Sequence, residues 1–479
     1  MQVIERGGAL PLTARGSIGR AYEVRYYSIQ LIIRKSNTPL STTFAAFLDA
    51  ALMLLTATGL SPAQAQTIPL TAALGSSGPT IPSNFVGIST EEYDVAYGQV
   101  YTPDNTSLIS LLQLLGPNGV MRVGGGSSDD VPPDPITQDS INRLSGFLQA
   151  LGPGWNMIYG LNAAADDANL AVTQAGYLLS ALPSNRVAFQ VGNEPDLLYN
   201  GNEKSWLNVF NSYYQALTGA YGQLNFGAPD TSGTFDGISW PNDTVLGAGG
   251  FEYLTAHKYT LGCNPEPLPS ANSVLADPIL PSNPGWSISE FGIICDGGMQ
   301  GVTDRLIAAT YYLELAQSTA SGGWAGIMPH NVVVPELWGD GLTRPAYYNQ
   351  FVVESDGGYA PTPMFYGQYL FSQIEGQQII EVQTPQNYSS VASVTATAGP
   401  NGNANILVVN INPRHGFYVR SDQNAPWQSA NVLVLSGKSC ADPSPVLNGQ
   451  PSVKEEPGEA QWHLLTEEPP FLSDHAGQP

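Results

Sequence analysis

From about residue 85 the chain alternates short, β-rich apolar runs with longer stretches whose apolar residues recur at helical spacing, and the alternation repeats eight times. A strand-then-helix repeat of this kind is what βα units and a parallel sheet produce. The predicted strands are 85–89, 120–124, 156–161, 187–192, 225–228, 254–259, 287–290 and 326–330, with helices over 106–115, 140–151, 168–182, 206–221 and 303–318 between them. A last amphipathic run at 364–374 closes the set, so 85–376 is read as a (β/α)8 TIM barrel. After it the texture changes to short β-branched runs at 379–382, 391–397 and 405–410, separated by Gly, Pro and Asn. This predicts a C-terminal antiparallel β-sandwich formed by 377–440 together with 66–84. The Pro- and Glu-rich tail, 441–479, has no clear strand periodicity and is given no structure.

Ahead of the barrel, Arg34 and Lys35 precede an apolar run from Phe44 to Leu60, and Ala63-Gln64-Ala65 has the small-x-small form of a signal-peptidase site. Residues 1–65 are therefore read as an N-terminal extension and signal peptide, which makes the mature chain a secreted one. A buried helix or membrane anchor is the other reading of that run, although Asp49 interrupts it and it is short for a stable span. A formal charge of -23 repels nucleic acid and anionic membranes at long range, so neither is expected as a partner. The three cysteines fit one disulfide and one leftover thiol. Cys263 and Cys295 follow neighbouring predicted strands and are taken as the pair. Neither the cysteines nor the five histidines show metal-site spacing, and no metal or cofactor is expected.

In a (β/α)8 barrel the working side chains sit where strands end at the C-terminal face. The fourth predicted strand runs into Asn193-Glu194-Pro195 and the seventh into Glu290-Phe291-Gly292. Two carboxyls on roughly opposite strand ends suit glycoside cleavage by double displacement, which needs them about 5 to 5.5 Å apart. In that scheme Glu290 stays ionised and attacks the anomeric carbon. Glu194 protonates the departing oxygen and later takes the proton of water. Asn193 is placed to hydrogen-bond the sugar's 2-hydroxyl, and Pro195 stiffens the turn.

The stretches Phe85-Val86-Gly87-Ile88-Ser89-Thr90-Glu91, Met121-Arg122-Val123-Gly124-Gly125-Gly126, Gly192-Asn193-Glu194-Pro195-Asp196, Ala256-His257-Lys258-Tyr259 and Ser289-Glu290-Phe291-Gly292 span nearly the whole barrel. Together they resemble clan A glycoside hydrolases, and within them glycoside hydrolase family 79, the β-glucuronidases and heparanases. The resemblance implies Glu194 as acid/base, Glu290 as nucleophile, Tyr259 as hydroxyl donor to the nucleophile and Glu91 as a ligand for sugar hydroxyls. It also implies that the backbone amides of Gly297 and Gly298 approach a uronate carboxylate. The resemblance also makes His257 a candidate substrate contact and brings Arg122 near the nucleophile, as a substrate contact or a buried ion pair. Plainer roles also fit: Glu91 a solvated loop carboxylate, His257 and Tyr259 strand-end packing, the glycine pair a turn.

Where the family often places a carboxylate-binding tyrosine in a Pro-x-Pro-x-Tyr stretch, this chain has Phe365, with Tyr366 one position later. No Lys/Arg cluster suited to a long sulfated chain surrounds the motifs, which favours an exo-acting enzyme on terminal, optionally 4-O-methylated, β-linked glucuronate in a glycan. A retaining β-glycosidase for a neutral sugar and a non-catalytic carbohydrate-binding barrel are the competing readings. Trp155, Trp240, Trp286 and Trp338 fall at or near predicted loops, where they serve packing or stack on sugar, and are not assigned.

Overall fold

The structure, a computed structural model, describes residues 66–69, 71–133, 135–233, 240, 251–263, 284–334, 336–337, 343–344, 347–355 and 357–383, and beyond them the segments 21–24, 27–35, 392–399, 404–410, 417–420, 430–437, 441–443, 445–448, 451–456 and 459–464. The chain forms two units, one built around 77–379 and the other around 380–436 with 1–76 and 446–473.

The first unit is the barrel. Its strands are β1 (Ile88–Glu91), β2 (Asn118–Gly124), β3 (Gly154–Leu161), β4 (Val187–Val191), β5 (Asn225–Thr231), β6 (Phe251–Tyr259), β7 (Trp286–Gly292) and β8 (Gly326–Pro329), parallel and hydrogen-bonded in chain order. All eight predicted strands are present, with ends shifted by a few residues. β4 and β7 are buried along their whole length, as expected of parallel strands covered on both faces. Val120, Ile158, Ala188 and Met328, from four different strands, cluster with Tyr253 packed against them, which fills the interior with side chains.

Among the described residues the longer helices of this unit are α1 (Thr106–Gln113), α2 (Gln138–Leu151), α3 (Ala168–Ala181), α4 (Glu203–Tyr221), α5 (Leu306–Ser321) and α6 (Pro363–Ser372). Their starts are local chemistry. Thr137 and Ser140 form a capping box for α2, the Asp167 carboxylate accepts the first amides of α3, Asn202 caps α4, and Pro363 occupies the first turn of α6. α2 buries Ile141, Leu144, Phe147, Leu148 and Leu151, the single stripe that its spacing predicts. No helix among the described residues is long and apolar enough to cross a membrane.

The barrel closes between its first and last strands at a narrow seam. Val86 bridges Ile327 and Ser89 bridges His330, while Gly87 N–H donates to the Ile327 carbonyl at 3.0 Å and Ile327 N–H to the Phe85 carbonyl at 2.9 Å. The approach is close enough that a Cβ on Gly326 would lie 2.8 Å from the Phe85 carbonyl oxygen.

The second unit is the β-sandwich. One sheet orders its strands Val446–Asn448, Ala430–Gly437, Tyr27–Lys35, Ala404–Asn410, Ala392–Ala398, Gln378–Gln383 and Thr71–Thr80. A second sheet joins Ala21–Val24, Phe417–Arg420 and Gln66–Pro69. Ala404–Asn410 is buried throughout. The stretch read as an extension thus supplies Tyr27–Lys35, in which Gln30 to Arg34 pair antiparallel with Val409 to Asn405. The stretch read without strands carries the hairpin Pro451–Glu456 with Glu459–Leu464. The apolar run at 44–60 and the Ala65 cleavage site lie outside the described residues.

A glycine at the seam and a glycine on an open helix face are predicted to respond to alanine with opposite signs. Gly326→Ala should lower unfolding stability by about 1–3 kcal/mol because backbone must give way. Gly219→Ala, inside α4 with nothing within 4 Å of the new methyl, should raise it by roughly 0.5–1 kcal/mol. Denaturant titration of the two variants against the parent chain checks both.

Candidate active site

Arg122 on β2 is the hub. It is 1% exposed, and its guanidinium donates to Glu290 Oε2 at 2.6 Å, Asp230 Oδ2 at 2.6 Å, Asn193 Oδ1 at 2.7 Å, Ser89 Oγ at 3.2 Å and Gln190 Oε1 at 3.3 Å. Residues from β1, β4, β5 and β7 and from the loop after β4 are thereby drawn to one point. Asp230 is held further by Gln190 Nε2 at 2.9 Å and by the Ser289 hydroxyl. The Asn193 amide, with its oxygen committed to Arg122, presents its nitrogen as a donor on the other side.

The ladder is irregular where it delivers these groups. The β5–β6 register skips Asp230, the β6–β7 register shifts between Ala256 and His257, and the β7–β8 register shifts between Ile288 and Phe291, around Glu290. Such irregularities re-aim side chains at strand ends.

His257 connects the two predicted catalytic carboxyls. Its Nδ1 lies 2.9 Å from Glu194 Oε1, and its Nε2 lies 3.2 Å from Asp230 Oδ2 and 3.8 Å from Glu290 Oε2. One imidazole ring therefore spans from Glu194 to Glu290, and both face the same end of the barrel. Tyr259 donates its hydroxyl to Glu290 Oε1 at 2.6 Å. Glu91 Oε1 meets His330 Nε2 at 3.0 Å while its Oε2 accepts the backbone N–H and hydroxyl of Ser127 at 2.9 and 2.6 Å. Gly125, at φ 74°, is what admits Glu91, since a Cβ there would stand 2.2 Å from its carboxyl oxygen.

The electrostatics distinguish the two glutamates' surroundings. Burial by itself raises the Glu290 carboxyl, but His330, His257 and Arg122 beside it and the Tyr259 hydroxyl outweigh burial and hold it at about 2. Asp230 is likewise kept well below the usual carboxylate range, against its burial, by Arg122 and His257. Burial would lower His257, yet Glu290, Asp230 and Glu194 push it up to about 10. Burial and the Glu290 charge raise the Tyr259 phenol well above its ordinary value, so it remains a donor. The Glu194 side chain is 23% exposed against 9% for Glu290.

The remaining predicted residues fall as follows. Gly297 and Gly298 lie in a turn after β7, where Gly298 N–H donates to the Cys295 carbonyl at 3.2 Å and the Gly297 carbonyl accepts Tyr347 N–H at 2.6 Å. Cys263 and Cys295 are joined as a disulfide, Cα to Cα 4.5 Å, linking the loops after β6 and β7. Among the described residues the one group with metal-like spacing is these two cysteines with Asp296, and its sulfurs are bonded to each other. Phe365 is 1% exposed and packs on Phe351 with ring centroids 4.7 Å apart, inside the core. Trp155, Trp240 and Trp286 are buried, and Trp338 lies outside the described residues. Asp230 and His330 are site residues that the sequence reading did not single out. The rule that finds strand-ending carboxylates reaches Asp230 only if β5 is carried through Pro229, and a lone strand-end histidine carries no signal of its partners.

No protein-family model matches the chain, and no curated protein matches it in sequence. Among solved structures it is similar to the family 51 arabinofuranosidase of Xanthomonas axonopodis pv. citri, with 13% identity, 80% of this chain and 94% of that one covered, and a TM-score of 0.57. It is similar also to a family 51 α-L-arabinofuranosidase from Bifidobacterium longum (12% identity, 79% and 94% covered, TM-score 0.56). A third is a bifunctional glucanase-xylanase from a metagenome library (10% identity, 82% and 96% covered, TM-score 0.52). At such identities the likeness is one of fold, and these neighbours are all glycoside hydrolases.

The raised His257 has a defined consequence for stability. A proton held more tightly in the folded than in the unfolded chain stabilises fully below the unfolded value near 6.5 and ceases to do so as pH rises towards about 10. Stability of the parent chain should fall between pH 7 and 10 more steeply than that of His257→Asn. Thermal or denaturant unfolding across that range tests it, and parallel slopes would remove His257 as the titrating group.

Proposed function

We propose that this protein is a retaining β-glycosidase in which Glu290 is the nucleophile and Glu194 the acid/base, acting on terminal β-linked glucuronate. The observation that carries the chemistry is the pairing of unlike carboxyls across His257, with Glu290 enclosed by donors and cations and Glu194 turned outward. In the first step a Glu290 oxygen bonds to the anomeric carbon as the bond to the departing oxygen breaks, and that oxygen takes the Glu194 proton. With Oε1 of Glu194 held by His257 Nδ1–H, the transferable proton sits on Oε2. In the second step water bonds to the anomeric carbon, its proton passes to Glu194, and the ester to Glu290 breaks, restoring both carboxyls. Asn193 Nδ2 is the donor for the 2-hydroxyl, and Glu91, oriented by His330 and Ser127, is the acceptor for other hydroxyls.

Glucuronate as the sugar rests on the family 79 resemblance of the strand-end motifs. A neutral sugar is the second reading, favoured by two observations: Phe365 is packed in the core, and the Gly298 amide is already donated to Cys295. Export is part of the proposal, and the Cys263–Cys295 disulfide suits an oxidising compartment; cleavage of a leader at Ala65 would take with it Tyr27–Lys35, a strand of the sandwich sheet, so export is proposed without that cleavage.

Glu290→Gln should lose at least about 10³-fold in activity on every glycoside, whereas Glu194→Gln should keep kcat/KM on a 2,4-dinitrophenyl glycoside, with kcat and KM both lowered because the second step loses its base, and lose kcat/KM on an alkyl one. A 2-fluoro glycoside should label Glu290, and a label elsewhere overturns the assignment. Comparison of 4-nitrophenyl β-glucuronide with the glucoside, galactoside and xyloside decides the sugar. Hydrolysis of a neutral glycoside with none of the glucuronide transfers the proposal to the second reading.

A further inference from the structure

The turn that carries Glu194 adopts a conformation that its own sequence does not favour. Glu194 sits at φ 46°, and Asp230, whose carbonyl accepts the Glu194 N–H at 3.1 Å, sits at φ 60°. Non-glycine residues rarely occupy this left-handed region, so the surroundings must hold them there.

One residue earlier the hold is visible. Asn193 N–H donates to Asp129 Oδ2 at 2.6 Å, and the other oxygen of that carboxylate accepts Ala163 N–H at 2.6 Å and Ala164 N–H at 3.3 Å. Asp129 ends the short turn Gly126–Asp129 after β2, Ala163 and Ala164 follow β3, and Asn193 follows β4. A single carboxylate therefore ties together three consecutive strand-end loops. Tyr199, just past the helix that Glu194 begins, donates its hydroxyl to the Ala163 carbonyl at 3.0 Å and closes the cluster from the other side. Burial lifts the Asp129 carboxyl to about 6 in spite of the three amides donated to it. None of its hydrogen bonds is to Arg122, His257 or Glu290; it meets their network only through Asn193, whose side-chain oxygen is held separately by Arg122.

We propose that Asp129 is a positioning residue for proton transfer: by clamping the Asn193 amide it fixes the left-handed turn that aims the Glu194 carboxyl across the site. The inference rests on the glycosidase reading above. It separates two tasks that a general structural role would not, because the Glu290 side of the site hangs on Arg122 and Tyr259 instead.

The test is Asp129→Asn with two substrates of the same sugar. One is an alkyl glycoside, whose leaving oxygen needs a proton, and the other a 2,4-dinitrophenyl glycoside, whose leaving group does not. Misaiming an acid by a fraction of a bond length costs on the order of 10 to 100-fold. We expect kcat/KM to fall by that factor on the alkyl glycoside and to stay within about threefold on the dinitrophenyl one, as befits loss of acid assistance alone. On the activated substrate kcat and KM should drop together, because base assistance to the second step is also weakened. Equal losses of kcat/KM on both substrates, or no loss on either, overturn the proposal. Asp129→Glu, which keeps the charge and shifts the carboxylate by one methylene, is read the same way should the asparagine variant not accumulate folded. A parent chain inert to both substrates sinks the glycosidase reading, and the role of Asp129 with it, whereas an active parent with a uniform loss sinks the role alone.

Discussion

A guanidinium withdrawn from water must find enough acceptors to offset its lost hydration, and the mouth of this barrel is arranged around that requirement. Arg122 meets it with two carboxylates, two side-chain amides and a serine hydroxyl, supplied from four strands and one loop. The demand runs both ways. Asp230 and Glu290 are themselves buried anions, and Arg122, with His257 beside both and His330 beside Glu290, offsets the cost of holding them ionised. The positions of Asn193 and Gln190, and through Asp230 that of His257, follow from satisfying this one group.

Around that centre the charges divide the mouth into two sides. On one, Glu290 is enclosed by Arg122, His257, His330 and the Tyr259 hydroxyl, an environment that favours its anion. On the other, Glu194 stands at the start of a short helix, touches His257 through one oxygen and has a side chain more exposed than that of Glu290. Two glutamates of the same intrinsic acidity are thus given unlike surroundings, the condition under which two carboxyls can take different chemical roles.

Much of this was legible in the amino-acid sequence, and the division between legible and hidden has a physical basis. Strands buried on both faces read as short apolar runs between turn signals, which is why all eight were located to within a few residues. Glu194 and Glu290 stood out because each directly ends such a run. Arg122 was seen as a candidate but its partners were not, since Ser89, Asp230 and Glu290 come together only when the sheet closes on itself. Asp230 was concealed behind Pro229, which reads as a strand stop, and Asp129 was indistinguishable from its neighbour Asp130 in a loop. The commitment of the Gly298 amide to Cys295 is a turn hydrogen bond that no residue pattern announces. Tyr27–Lys35 lies before the apolar run that drew attention as a leader, and its pairing with Ala404–Asn410 spans almost the whole chain, beyond the reach of local periodicity.

The Cys263–Cys295 bridge closes a covalent loop that encloses the strand bearing Glu290 and starts four residues after Tyr259. A protease that nicks the backbone anywhere inside that loop would leave two chains still tethered, with Glu290 unable to drift away. Digested protein would then show two bands only after a thiol is added, and the segment bearing Glu290 would stay covalently joined to the rest of the barrel after its backbone is cut.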